Sequence, residues 1–243
     1  MQSMIICEGS TNFILLQYFM RKVHEWEDTR ERPQQSVFDK ARVLQKGERK
    51  LVIGSTGGCD KIHQTLETLI AANRYGSDQK ELIDNIVIVT DRDELSTETA
   101  FLDKVKNILL DKEIEYTNEI QNNKWLRCKC MNGSWDKVSF QICVLIIPFE
   151  ETGAMETFLL HAIAKDNEYD KEIVEKANTF VDEIDPQKRY LMKRRQITKA
   201  KFDVYFSIRT SAEQFVQRQD ILKGVKWENY LELQDGFAKL GDL

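Results

Sequence analysis

Asp91, Asp93 and Glu94 follow directly on the apolar run Ile86-Val87-Ile88-Val89, and Glu8 follows a second one, Met4-Ile5-Ile6-Cys7. Like charges at the end of a buried strand raise one another's pKa and cost stability unless something neutralises them. A strand that exits into water, or an acid that caps the next helix, accounts for any one of these residues. All of them together, at matching strand ends, point to a divalent cation. Carboxylate oxygens are hard donors suited to Mg²⁺ or Mn²⁺. Asp91 and Asp93 share a face of an extended chain, because side chains alternate with period two.

The surrounding pattern predicts the elements that would hold these acids. Strands are expected over about 3–7, 50–55 and 84–90, followed by helices over about 12–26, 59–74 and 96–112. Three repeats of strand, turn and helix predict a parallel sheet covered by helices. Ligands of open parallel sheets bind at the carboxyl ends of the strands, where Glu8, Asp91 and Asp93 would stand. Residues 113–138 break the rhythm. Asn132-Gly133 lies between two β-favouring arms and signals a hairpin, a β insertion over about 119–140. Its second arm is long enough to enter the main sheet at Val144-Leu145-Ile146-Ile147. After Pro148 the pattern is helical, over about 154–168, 170–183, 187–208 and 212–222, with a small helix at the end. This divides the chain into an α/β domain over 1–150 and a helical extension over 151–243 packed on it.

Composition bounds the reading. The chain has 243 residues, 42% hydrophobic and 31% charged, with a net charge of −5. These are ordinary values for a globular protein, and they leave nucleic-acid binding to a local basic patch. The N-terminus reads as a strand and not as a signal peptide. No run reaches the ~18 apolar residues of a membrane helix, so no membrane is expected and a cytoplasmic location is. Five cysteines, including Cys128-x-Cys130 without a second ligand pair, are expected as reduced thiols.

Glu8-Gly9 after the first strand and Asp91-Arg92-Asp93 after the third resemble the acidic site of the Toprim family. That family includes domains of topoisomerases, bacterial primases, OLD-type nucleases and ribosomal-RNA maturases. The resemblance covers roughly residues 1–150 and implies a mainly parallel, Rossmann-like Toprim sheet flanked by helices. The finer pattern is most similar to small stand-alone OLD-like bacterial proteins. It rests on Pro148, on Gly153-Ala154-Met155-Glu156 at a helix start, on Lys199-Ala200-Lys201, and on the aromatic-rich segment Trp227 to Phe237. It implies Glu8, Asp91, Asp93 and Glu156 as ligands of Mg²⁺ or Mn²⁺, with Glu8 serving as base or ligand. One departure is Asn12, where many members carry a second acid. The charge of a second site is then missing, or supplied by Glu94, Glu151 or Glu156.

The stretch 187–201 holds seven basic residues and no acid. Lys193, Arg194, Arg195 and Lys201 are candidates to hold a nucleic-acid backbone, and Lys199 to stabilise developing phosphate charge. The plainer reading is a solvated helix face paired with the acidic stretch 166–185. Gly57-Gly58 opens a helix after a strand and could approach a phosphate; without a following GK[ST] it reads as a plain turn. The three histidines show no ligand spacing, and Trp125 and Trp135 are expected to pack on each other across the hairpin. Together these features predict a metal-dependent nuclease, a hydrolase of DNA or RNA phosphodiesters, and the resemblance to OLD-type proteins implies a role in defence against phage or other foreign nucleic acid. The alternative is a non-catalytic Toprim-like subunit that binds nucleic acid or an ATPase partner.

Overall fold

The computed structural model describes residues 1–31, 37–76, 82–210 and 218–243. Its centre is four parallel strands, β1 (Gln2–Cys7), β4 (Arg49–Ser55), β5 (Asn85–Asp91) and β8 (Lys137–Ile147). They lie in the order β4-β1-β5-β8, with Ile5 opposite both Ile53 and Val87. Short antiparallel strands extend both edges: β2 (Glu27–Asp28) and β3 (Lys40–Lys46) beyond β4, β7 (Trp125–Met131) and β6 (Glu115–Tyr116) beyond β8.

The central strands are apolar on both faces because helices cover both. Ile5, Cys7, Val87, Val89, Leu145 and Ile147 face α1 (Ser10–Lys22), α4 (Met155–Asp166) and the later helices. Their neighbours Met4, Ile6, Ile86, Ile88, Val144 and Ile146 face α2 (Cys59–Tyr75) and α3 (Thr97–Asp111). The first core also takes residues of α5 (Glu168–Ile184), α6 (Arg194–Arg209), α7 (Arg218–Gly224) and α8 (Leu231–Gly236). Phe237 sits edge-on to both Phe19 of α1 and Phe158 of α4, at 5.1 and 5.8 Å between ring centres. Residues 151–243 thus share a core with the sheet.

From β1 the chain crosses to β4 on one side and later returns to β5 on the other. α1 covers one face of the sheet and α2 the opposite one. The β1–β5 crevice is therefore the switch point of the sheet, where ligands of doubly wound folds bind.

Several local expectations change. β3 is an addition to the expected strands: Lys40–Lys46 alternates charged and apolar residues and joins β4 through a tight turn with Gly47 at φ +58°. α1 ends at Lys22, short of 26. Glu25 adopts φ +57°, and Trp26 folds back so that its N–H donates to the Met20 carbonyl. α6 begins at Arg194, not 187. Asp185 accepts the backbone N–H groups of Arg189, Tyr190 and Leu191, which holds residues 187–193 in a loop. The hairpin joins β7 to β8 as expected, but through a five-residue connection closed by the Asn132 side chain. Trp125 and Trp135 do not pack together. Trp125 pairs in register with Cys143 and donates its Nε1–H to Asp242, whereas Trp135 stands 82% exposed in the turn. Of the helix expected over 212–222, residues 212–217 lie outside the described residues, and α7 covers 218–224.

Candidate functional site

Glu8 leaves β1 with its N–H donating to the Val89 carbonyl, so it stands beside the end of β5. Its Oε2 accepts the Thr90 hydroxyl at 2.6 Å and the Asp91 N–H at 3.1 Å. Asp91 is the last residue of β5, and its Oδ1 accepts the Met155 N–H at the start of α4 (3.2 Å). Arg92 pairs with Glu98 of α3, and Asp91 and Asp93 both face one cavity. Glu156, 2% exposed, accepts the Thr11 hydroxyl at 2.9 Å from the first turn of α1.

Glu8, Asp91, Asp93 and Glu156 all line one cavity of about 350 Å³ at the carboxyl ends of β1, β4 and β5. Burial pushes the Asp91 carboxyl well above its usual value, and the charges of Glu8, Glu156 and Asp93 push it further in the same direction. The Met155 N–H opposes them without prevailing. Three acids thus act on the Asp91 carboxyl.

Gly153 explains how α4 reaches this place. Its N–H donates to the Arg92 carbonyl at 2.8 Å, and an added Cβ would meet Thr157 Oγ1 at 2.6 Å. A side chain at 153 would collide with Thr157, so glycine here leaves room for Thr157 in the first turn of α4.

Basic residues join the acids around this cavity. Arg194, Arg195 and Lys199 of α6 line the same cavity, and Arg194 Nη2 donates to the Arg92 carbonyl at 3.3 Å. Lys193 is exposed at the N-cap of α6 and is not among the lining residues. Lys201 points the other way. It pairs with Asp182 of α5 at 2.8 Å and lines a neighbouring groove of about 850 Å³ between α4, α5 and α6. The basic run is therefore divided: part of it faces the carboxylates, and part is the paired helix face of the plainer reading. Glu151 belongs to the neighbouring groove, beside His161, and Glu94 is exposed.

Sequence reasoning missed several walls of the cavity. Asp39 and Lys40 arrive at the entry of β3. Gly57 and Gly58, read as a plain turn, border the cavity as well. Asn12 is 2% exposed on its rim, and its Nδ2 has no hydrogen-bond partner.

Among the described residues, no three Asp, Glu, His or Cys side chains are drawn together into a ready-made coordination group. Like charges spread apart, and here Glu8, Asp91 and Glu156 each rest on a protein donor. Their chemistry nonetheless fits a hard divalent cation: with Asp39, which pairs with Lys61, five carboxylates line one small cavity, and no sulfur or imidazole is among the lining groups. All five cysteines are free. Burial raises the Cys128 and Cys143 thiols to about 12, which leaves both protonated and inert. No described helix is long and apolar enough to cross a membrane.

The fold has a relative among solved structures. A hypothetical protein, PH0156, from Pyrococcus horikoshii OT3 superimposes with a TM-score of 0.55 at 15% identity, covering 98% of this chain and 99% of that one. A glyoxalase/bleomycin resistance protein/dioxygenase family enzyme from Burkholderia phytofirmans PsJN matches 60% of this chain and 97% of its own, at 10% identity and a TM-score of 0.20, too low to carry an argument. No curated protein matches the chain. The family model described as "Protein of unknown function (DUF3226)" matches residues 2–232, nearly the whole length, and the chain therefore belongs to the DUF3226 family.

Proposed function

We propose that the protein is a Mg²⁺- or Mn²⁺-dependent nuclease of Toprim type that hydrolyses nucleic-acid phosphodiester bonds. The observation that carries this reading is the single cavity at the sheet's switch point, with walls that are both acidic and basic. A phosphodiester beside a cation needs both kinds of group. Glu8, Asp91, Asp93 and Glu156 would hold the cation, which when bound supplies Lewis acidity and charge neutralisation.

The chain's own residues supply the rest. Arg194 and Arg195 would hold the phosphate and orient it. Lys199, one helical turn further along, would meet the charge that grows on the phosphoryl oxygens as water attacks phosphorus and the P–O bond breaks. Glu8, held at Oε2 by the Thr90 hydroxyl and the Asp91 N–H, would accept the proton of that water at its other oxygen, Oε1. A role in defence against foreign nucleic acid follows from the likeness to OLD-type proteins.

A second reading has one observation in its favour. Asn12 places a neutral amide at the rim of the cavity, so a second cation would find less charge there. A subunit that binds nucleic acid or an ATPase without cutting would tolerate this. Incubation with end-labelled RNA and DNA, single- and double-stranded, in Mg²⁺, Mn²⁺ or EDTA separates the readings. Cleavage in metal that EDTA abolishes and Lys199→Ala impairs supports the nuclease. Binding without cleavage in every condition supports the subunit.

A further inference from the structure

α1 and α2 begin side by side on the acidic cavity, because each follows one of two paired strands. β1 and β4 run in register to Cys7 and Ser55, and the Thr56 N–H donates to the Cys7 carbonyl. Both helices are capped by glycine, Gly9 and Gly58, and neither cap makes a side-chain hydrogen bond. An added Cβ would meet nothing within 4 Å at either glycine. The space in front of both helix ends is open and belongs to the cavity, whose lining includes Gly9, Ser10, Thr11, Gly57 and Gly58.

A helix N-terminus presents unpaired N–H groups and about half a positive charge. The first turn of α1 has no acid to neutralise it; that of α2 carries one, the exposed Asp60. Asn12, in that same turn, lines the cavity with an Nδ2 donor that has no partner, although the residue is only 2% exposed. A buried donor without an acceptor is costly. It asks for an acceptor, and neither acid nearby supplies one: Glu156 accepts from Thr11, Glu8 from Thr90 and Asp91, and Nδ2 bonds to neither.

We infer that the N-termini of α1 and α2, together with Asn12 Nδ2, form a phosphate-oxygen subsite beside the carboxylates. The ligand is the phosphoryl group of a phosphodiester, seated with one non-bridging oxygen on these donors. The inference rests on the reading of this cavity as a phosphodiester site and adds where the phosphate docks. It also assigns Asn12 a task that an acid could not perform, since a carboxylate there would repel the ligand. Glu8 and Asp91 also oppose an anion, so a cation on the carboxylates strengthens phosphate binding, and by linkage phosphate strengthens cation binding equally.

Inorganic phosphate is the probe, titrated calorimetrically into the full chain with and without Mg²⁺. Two variants interrogate the donors. Gly9→Asn supplies an N-cap side chain that takes the α1 N–H groups for itself; the backbone there is extended and the space open. It raises the melting temperature by about 1 °C and lowers phosphate affinity at least tenfold. Asn12→Asp replaces the orphan donor by a charged acceptor and lowers phosphate affinity by a similar factor, while stabilisation by Mg²⁺ persists. Lys165→Ala, in the neighbouring groove, leaves phosphate affinity unchanged. Wild-type phosphate affinity in both Gly9→Asn and Asn12→Asp overturns the inference, as does the absence of saturable phosphate binding by the wild type. Cleavage of nucleic acid at wild-type rate by both variants overturns the subsite and leaves the nuclease reading standing. Loss of phosphate binding in both variants of a protein that cuts nothing supports the subsite and rejects the nuclease.

Discussion

Asp91→Asn should make the protein more stable without metal and deaf to metal when it is added. The Asp91 carboxyl is held well above its ordinary value, first by burial and then by the charges of Glu8, Glu156 and Asp93. A carboxyl whose folded pKa is raised contributes stability below its unfolded value of about 3.8 and loses it as pH rises through the folded one. At pH 7, far above the unfolded value, the carboxyl is therefore a burden on the fold. Asparagine keeps the shape and the acceptor oxygen for the Met155 N–H, and it removes the charge. Relief of one buried like-charge repulsion is worth about 1 kcal/mol, or about 2–4 °C in a chain of this size. Mg²⁺ at a hundred times its dissociation constant adds about 2.7 kcal/mol to the wild type, roughly 5–10 °C. Differential scanning calorimetry at pH 7, in EDTA and in Mg²⁺, reads both effects. The wild-type gain from Mg²⁺ should also fade on acidification at a higher pH than an ordinary aspartate would give. The reasoning is refuted if Asp91→Asn melts lower than the wild type in EDTA, or if it keeps the full Mg²⁺ response.

Other consequences follow from the same arrangement. Arg194→Ala and Arg195→Ala should each weaken nucleic-acid binding and lower the salt slope by roughly 0.9 for each phosphate that is no longer neutralised; Lys193→Ala and Lys201→Ala should change neither, because one is outside the cavity and the other is paired with Asp182. Lys199→Ala should cut the single-turnover cleavage rate by about 10²-fold with affinity little changed, since its target is charge that develops in the transition state. Phe237→Ala should cost about 3–5 kcal/mol in urea denaturation and leave one cooperative transition, because this ring joins α1 and α4 across a shared core. A separate early transition in that variant would mean that the helices beyond residue 150 fold apart from the sheet.

The parts of the fold that sequence reveals are those with one cause. β1, β4, β5 and β8 are buried on both faces, so their apolar runs stand out, and the turns after β1 and β5 place Glu8 and Asp91 at one edge by topology alone. β3 escapes notice because an edge strand is half solvated, and Lys40–Lys46 carries charges that a strand search penalises. The start of α6 depends on Asp185 capturing three N–H groups, a bond pattern that leaves no mark on helical periodicity. The division of the basic run is likewise tertiary. Arg194 and Lys201 are two helical turns apart; Arg194 borders both the acidic cavity and the neighbouring groove, Lys201 only the groove, and spacing suggests this only when the partners Arg92 and Asp182 are known. Asn12 reads in sequence as a missing acid; only packing reveals an unpaired buried donor.

The central claim is that Glu8, Asp91, Asp93 and Glu156 bind one hard cation together. Titration of Mn²⁺ followed by electron paramagnetic resonance tests it without knowledge of the substrate, because free and bound Mn²⁺ are counted directly. The account predicts saturable binding by the wild type and by Glu151→Gln, whose side chain lines the neighbouring groove. It predicts at least tenfold weaker binding by Asp91→Asn and by Glu156→Gln. Equal binding by the wild type and Asp91→Asn, or loss of binding in Glu151→Gln alone, would contradict it.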